Sequence, residues 1–119
     1  MYTLTRGNIM RNLIPVEFQK YYKPTTIDEC EQAGFYMEDY KEGEAPEAFK
    51  YYPELEFLGW AIGKPEYQDA LQEYALVCIV KDNEKNDITL VQDVGDRIYD
   101  VEYDTIQSYV SSVESELKH

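Results

Sequence analysis

The chain has 119 residues and a net charge of −13, from 24 acidic and 11 basic residues, and 14% of its residues are aromatic. The length predicts a single domain, residues 1–119, and the aromatic content distinguishes the chain from disordered acidic proteins. No apolar run reaches the roughly 18 residues that cross a bilayer, and the N-terminal residues show no signal-peptide pattern. We therefore expect a cytoplasmic protein that does not bind membranes.

The charge is unevenly distributed along the chain. Residues 1–24 carry a net charge of +3, whereas residues 25–57 and 58–119 carry −8 each. Such a field repels the phosphates of nucleic acid and attracts basic surfaces. We therefore expect no direct nucleic-acid binding, and a basic protein surface as the partner.

The N-terminal segment predicts two short elements. Residues 2–5 favour a strand. Pro15 is suited to the first position of a helix, which we expect over residues 16–22, since Pro24 disfavours helical conformation in the residue before it.

The following segment predicts one capped helix and then an irregular region rich in acids and aromatics. Thr26 and Glu29 have the spacing of a capping box, and Gly34 is placed to end the helix. Between residues 35 and 52 we expect an extended piece, a loop and a short helix over residues 46–51.

The second half of the chain predicts four strands and a C-terminal helix. The strands are expected at residues 55–62, 74–80, 88–94 and 97–103, with one or two helical turns at 65–73. The run at 74–80 is apolar throughout, which is typical of a central strand covered on both faces. Residues 81–87 predict a polar hairpin loop, because the glycine that a calcium loop needs at its sixth position is absent.

The last helix is marked by a capping-box pattern and one apolar stripe. Asp104 is expected to cap it together with Gln107. The stripe consists of Ile106, Tyr109, Val110, Val113 and Leu117. The predicted fold class is α+β, an antiparallel sheet of three to five strands with this helix packed on one face and short helices near the N-terminus.

The residues that most catalytic sites need are scarce. His119 is the single histidine and is the last residue of the sequence, where a positioned general base is not expected. Cys30 and Cys78 are too few for a structural zinc site and predict free, buried thiols. No phosphate-binding glycine motif occurs. We therefore expect no enzymatic activity, no metal and no cofactor.

The twelve tyrosines point to a protein interface. Tyr99, Tyr103 and Tyr109 are expected in the core. The adjacent pairs at 21–22 and 51–52 predict at least one tyrosine near the surface in each pair. Exposed tyrosine beside acidic residues is typical of interfaces, because its ring supplies contact area at little entropic cost.

Acidic residues at alternating positions give the most specific hypothesis. On a strand, positions i and i+2 lie about 6.6 Å apart, which is close to the spacing of phosphates along a nucleic acid. The row consists of Asp100, Glu102 and Asp104, and Asp93 and Asp96 are expected on the neighbouring turn. We call these five residues together the strand patch. The alternative interpretation is a solvated edge strand that its charges protect from aggregation.

A second group of acids and tyrosines follows the capped helix. We call it the loop patch, and its residues are Glu38, Asp39, Glu42, Glu44, Tyr36 and Tyr40. Together the patches predict a non-catalytic inhibitor that occludes a basic site on a nucleic-acid-handling enzyme. A phage or mobile-element antagonist of restriction or CRISPR-type defence is a protein of that kind. The alternatives are an immunity protein against a basic toxin nuclease, a small carboxylate-based, Mg²⁺-dependent enzyme, and a structural adaptor.

Overall fold

A computed structural model describes residues 13–117 and has the α+β fold that the sequence predicts. Five antiparallel strands form one sheet in chain order: β1 (Tyr22–Thr25), β2 (Leu55–Gly63), β3 (Leu76–Asp82), β4 (Asp87–Val94) and β5 (Arg97–Asp100). The α-helices are α1 (Ile27–Gln32), α2 (Gln68–Leu71) and α3 (Tyr103–Leu117). Single 3-10 turns or short 3-10 helices occupy Val16–Phe18, Glu47–Tyr51 and Gln72–Ala75. The strand predicted at residues 2–5 lies outside the described residues.

The central position of β3 is confirmed, and it follows from its uninterrupted apolar run. Val77 and Ile79 point to one face of the sheet, and Cys78 and Val80 point to the other, all essentially without solvent exposure. Side chains alternate along a strand, so a strand that is apolar at every position needs cover on both faces. We call the two sides of the sheet the helix face and the loop face.

The helix face is covered by α3, as its apolar stripe predicts. Ile106 and Val110 are fully buried in the same core cluster as Val77, Ile79 and Leu90. Val113 packs against this cluster from a partly buried position. No helix within residues 13–117 is long and apolar enough to cross a membrane.

The loop face is covered by α1, the irregular segment after it and the 3-10 helix Glu47–Tyr51. These elements contribute Ile27, Cys30, Met37 and Phe49 to a core cluster with Trp60, Cys78, Val80 and Val91. Both cysteines are free and buried, as expected. The irregular segment contains turns and no strand, so the extended piece expected after residue 35 does not join the sheet.

The start and the end of α1 confirm the predicted signals. Thr26 Oγ1 accepts a hydrogen bond from the Glu29 N–H at 3.2 Å, and Glu29 Oε1 accepts one from the Thr26 N–H at 3.2 Å. Gly34 follows the helix with a φ of +99°, in the left-handed region that favours glycine.

The helix predicted over residues 16–22 is wrong beyond its first turn. Only Val16–Phe18 is helical, and Tyr22–Thr25 forms the edge strand β1. An edge strand pairs on one side only, so it accommodates Pro24, which has no N–H. The expectation for residues 21–22 is also wrong, because both tyrosines are buried, Tyr21 at 2% exposure and Tyr22 at 1%.

The boundary between β5 and α3 also differs from the prediction. The strand ends at Asp100, and α3 begins at Tyr103, so Asp104 lies in the first helical turn and does not cap it. The Glu102 carbonyl accepts hydrogen bonds from the N–H groups of Thr105 and Ile106, at 3.1 and 3.2 Å. Tyr99 and Tyr103 are 48% and 38% exposed, and hence are not core residues.

The polar hairpin between β3 and β4 is present as predicted. Asp82 Oδ1 accepts hydrogen bonds from the N–H groups of Glu84 and Lys85, at 2.9 and 3.2 Å. Asn86 adopts a φ of +58°, a conformation that asparagine tolerates in turns. The carboxylate of Asp82 thus serves the turn itself.

Candidate acidic binding surface

The loop patch lies on the loop face and is held there by apolar anchors. Met37 is buried in the core of that face, while Glu38 and Asp39 beside it are exposed. Glu44 is exposed further along the same segment. An irregular segment pinned by a buried side chain can present charged neighbours to solvent in a defined arrangement.

Tyr40 connects the loop patch to the strand patch. Its hydroxyl donates a hydrogen bond to Asp93 Oδ2 at 3.1 Å, across 53 positions of sequence. Its ring packs edge-on against Trp60, with the ring centroids 5.1 Å apart. The two acidic patches, which are distant in sequence, therefore meet on the loop face.

Asp93 belongs to the interior of this junction more than to its surface. It is half-buried, and its Oδ1 is a buried atom with no hydrogen-bond partner among the described residues. Burial raises the pKa of the Asp93 carboxyl, and the hydrogen bond from Tyr40 opposes that rise. Burial, together with the charge of Asp93, raises the pKa of Tyr40 to about 12, so Tyr40 remains a donor at neutral pH.

Two further residues of the loop patch have local partners. Glu42 Oε1 accepts a hydrogen bond from the Ile27 N–H at 2.9 Å and so satisfies the first turn of α1. The Tyr36 side chain is 70% exposed and donates to Glu38 Oε2 at 2.8 Å. This hydrogen bond raises the pKa of Tyr36. Glu42 is thus mainly structural, whereas Tyr36 projects into solvent.

Asp96 and Asp100 extend the acidic region along β5. Asp96 is exposed in the tight turn after β4, and Asp100 is exposed at the end of β5. Asp100 pairs with Val91, and Asp93 pairs with Ile98, so both aspartates face the loop side of the sheet. We use the name acidic surface for the exposed acids Glu38, Asp39, Glu44, Asp96 and Asp100.

The structure adds acids that the sequence reasoning missed. A depression of about 290 Å³ at the hairpin end of the sheet brings Asp100 close to Glu54, Asp82 and Glu84, with Lys85 as the only base among its lining residues. The pairing of Leu55 with Asp82 explains this proximity. The polar hairpin predicted at residues 81–87 already placed acids there. It does not show that β2 lies beside it and brings Glu54 close.

The predicted row of three carboxylates on one strand is not formed. Asp100 is the last residue of β5, whereas Glu102 precedes α3 and Asp104 lies within it. Glu102 lines a groove with Val94 and Tyr99, which face the helix side of the sheet. The strand patch is therefore divided between the two sides of the sheet edge.

Few acids are neutralised by a neighbouring base. Residues 13–117 contain all 24 acids but only eight of the eleven Lys and Arg residues. Among the side chains that the structure describes, Lys50–Glu47, at 2.8 Å, and Lys20–Glu114 are the ion pairs. No residue of the acidic surface has a basic partner among the described residues, so its charge is available to an external partner.

Among the described residues, no three His, Cys, Asp or Glu side chains are grouped so that they could hold a metal ion. Comparison of the chain with protein-family models, curated proteins and solved structures finds no match. The function of the acidic surface is therefore inferred from its geometry and charge.

Proposed function

We propose that this protein is an acidic binding protein that occludes a basic site on a nucleic-acid-handling partner. The observation that supports it best is the junction at Tyr40 and Asp93, which assembles acids from two distant segments on one face of the sheet. The acids at its surface have no basic partners among residues 13–117. A fixed array of unpaired carboxylates is complementary to a surface lined with Lys and Arg that normally contacts phosphates.

Occlusion requires a surface that resists rearrangement. Met37 and Phe49 anchor the loop in the apolar core, and Tyr40 ties it to β4. Binding then does not have to order the segment, which lowers the entropic cost of association. Long-range attraction between the acidic surface and a basic partner accelerates their encounter, more strongly at low salt than at high salt.

The proposal is tested by capturing partners from a host lysate at low and high salt, after nuclease treatment. We expect a basic nucleic-acid-handling protein that is retained at low salt and released as the salt concentration rises. A restriction or CRISPR-type effector would indicate an antagonist of defence, and a toxin nuclease would indicate an immunity protein. Capture of a partner that has no basic surface, and whose retention does not change with salt, would contradict the proposal.

A pair of charge reversals locates the interaction on the acidic surface. Asp39→Lys with Asp96→Lys is expected to weaken binding of the captured partner at least about ten-fold, because each reversal replaces attraction by repulsion. Glu66→Lys with Asp69→Lys is the matched control, since it changes the net charge equally at exposed positions after β2. Both doubles are expected to melt close to the parent protein. Equal losses of binding in the two doubles would remove the acidic surface from the interface.

A further inference from the structure

A groove of about 520 Å³ opens on the helix face, at the sheet edge formed by β5. It lies between the ends of β4 and β5, the 3-10 helix Gln72–Ala75 and the first turn of α3. Glu73, Asp100 and Glu102 are among its lining residues, and no basic residue is. Because the Asp100 side chain faces the loop side of the sheet, the groove's own carboxylates are those of Glu73 and Glu102. Its charge therefore favours a cationic occupant.

One of these carboxylates is held in position by the fold. The Tyr109 hydroxyl donates to Glu73 Oε1 at 3.3 Å, and Gln92 Nε2 donates to the Glu73 carbonyl at 2.7 Å. Glu73 follows Gln72, whose φ is +51°, so the chain turns sharply where it presents this side chain. Neither Glu73 nor Glu102 pairs with a base within residues 13–117.

The groove is not only acidic, because aromatic and apolar side chains also line it. Tyr99 is 48% exposed and Val94 is 50% exposed, and both are large side chains left in contact with water. Tyr74 is half-buried and packs edge-on against the ring of Tyr109, with ring centroids 5.4 Å apart. An occupant that combines a cation with an apolar stem would satisfy the carboxylates and cover these side chains.

We propose that this groove binds an arginine side chain of a partner protein. The guanidinium group is planar and carries five N–H donors, so it can pair with a carboxylate through two hydrogen bonds and stack on a tyrosine ring. Lysine offers a strongly hydrated point charge, which stacks less well. The inference deepens the proposed function, since both take a basic protein as partner, but its test uses residues outside the acidic surface.

The test is a ¹H–¹⁵N NMR titration of the full chain with N-acetyl-arginine amide as the probe. We expect saturable shifts of the backbone amides of Tyr74, Tyr99 and Thr105. N-acetyl-citrulline amide has nearly the same shape without the charge, and we expect about ten-fold weaker binding, as charge-assisted hydrogen bonds are lost. N-acetyl-lysine amide is expected to bind about two- to five-fold more weakly than the arginine probe.

Two sets of variants separate the groove from the general charge of the protein. Glu73→Gln with Glu102→Gln is expected to weaken arginine-probe binding at least about ten-fold. Glu31→Gln with Glu66→Gln removes the same charge at exposed sites outside the groove and is expected to leave binding unchanged. Tyr99→Phe should keep the affinity, whereas Tyr99→Ala should lose about two- to five-fold, because the ring and not the hydroxyl contacts the cation.

Several outcomes would overturn the assignment. Shifts spread over the whole acidic protein without saturation would indicate unspecific attraction, and equal binding of the citrulline or lysine probe would exclude the arginine assignment. A dimer seen by light scattering that Arg97→Ala dissolves would place a second copy in the groove and exclude a different partner protein. A failed titration beside salt-sensitive partner capture would remove the groove and leave the proposed function standing. A successful titration, when the lysate capture yields no basic partner, would support the groove and remove the proposed function.

Discussion

Asp93 places a carboxylate at the rim of an apolar core. Its Oδ2 accepts a hydrogen bond from the Tyr40 hydroxyl at 3.1 Å, and its Oδ1 is buried without a partner among residues 13–117. The indole N–H of Trp60, which packs against Tyr40, is likewise buried without a partner in this part of the chain. Burial disfavours the charged form of the Asp93 carboxyl and is the main cause of its raised pKa, which the single hydrogen bond from Tyr40 only partly offsets.

The substitution Asp93→Asn is therefore expected to stabilise the protein at neutral pH. The folded-state pKa is raised, so the stability associated with the neutral carboxyl is present below the unfolded pKa and is lost as the pH rises through the folded pKa. The asparagine stays neutral, and its amide oxygen can still accept from Tyr40. Urea denaturation at pH 7 should favour the variant, and its advantage should shrink as the pH falls and vanish below the unfolded aspartate pKa of about 3.9.

Asp100→Asn provides the matched control at an exposed aspartate on the same face of the sheet. It removes one negative charge without relieving a buried carboxylate, so any general effect of net charge appears in both variants. A stability gain that is equal in the two variants, or that grows as the pH falls, would contradict the account of Asp93.

Among the larger elements, the segment between α1 and the 3-10 helix Glu47–Tyr51 has no backbone pairing with the sheet within residues 13–117. Its contacts with the core come from Phe35, Met37 and Tyr40. Segments with few backbone bonds to the rest of a fold open at lower free energy than core strands. The geometry of the acidic surface therefore depends on the Tyr40 contact.

The substitution Tyr40→Phe is expected to loosen this segment locally. It keeps the ring against Trp60 but removes the hydrogen bond to Asp93, at a cost of about 1 kcal/mol. Hydrogen exchange of amides in residues 36–46 should accelerate about five-fold, which corresponds to that free energy. Amides of β3 should change only as far as the global stability changes.

Tyr36→Phe is the natural control, because Tyr36 also donates to a carboxylate, but from a position that is 70% exposed. Water replaces such a bond readily, so we expect almost no change in exchange. Faster exchange after Tyr36→Phe, or unchanged exchange after Tyr40→Phe, would show that the Tyr40 hydroxyl does not hold the segment.

The elements that the sequence predicts well are those with a local cause. β3 is determined by its own apolar run, and the start of α1 is determined by the adjacent Thr26 and Glu29 side chains. Both predictions are confirmed. The helix predicted over residues 16–22 was wrong beyond its first turn because the effect of Pro24 depends on its place in the fold. A proline is tolerated in an edge strand but not in a central one. That position is decided by tertiary pairing with Ala61, which the local sequence does not contain.

The alternation at residues 97–103 misled for a related reason. It fits a strand throughout, yet the strand ends at Asp100. The Glu102 carbonyl then accepts the first hydrogen bonds of α3. The acids expected in one row are consequently divided between the acidic surface and the groove. The patches are joined by the contact between Tyr40 and Asp93, which spans 53 positions. No pattern in either segment predicts this contact.

At the scale of the whole molecule, charge repulsion opposes folding. The net charge is −13, and the described residues form only two ion pairs. Folding brings the acids closer together than they are in the unfolded chain, so their mutual repulsion is larger in the native state. Screening by salt should therefore stabilise the fold, even though it weakens binding to a basic partner.

We expect the melting temperature at neutral pH to rise by about 4 °C between 20 mM and 300 mM NaCl, the shift that about 1 kcal/mol produces in a domain of this size. The Debye length falls below about 10 Å over this range, so most of the gain should come early and then level off. A steady rise up to molar salt would instead indicate exclusion of the salt from the protein surface, which strengthens apolar burial. Sucrose, which is excluded but does not screen charges, separates the two effects. A melting temperature that stays flat or falls with NaCl would mean that the acids are placed far enough apart, or near enough to bases, for repulsion to be small.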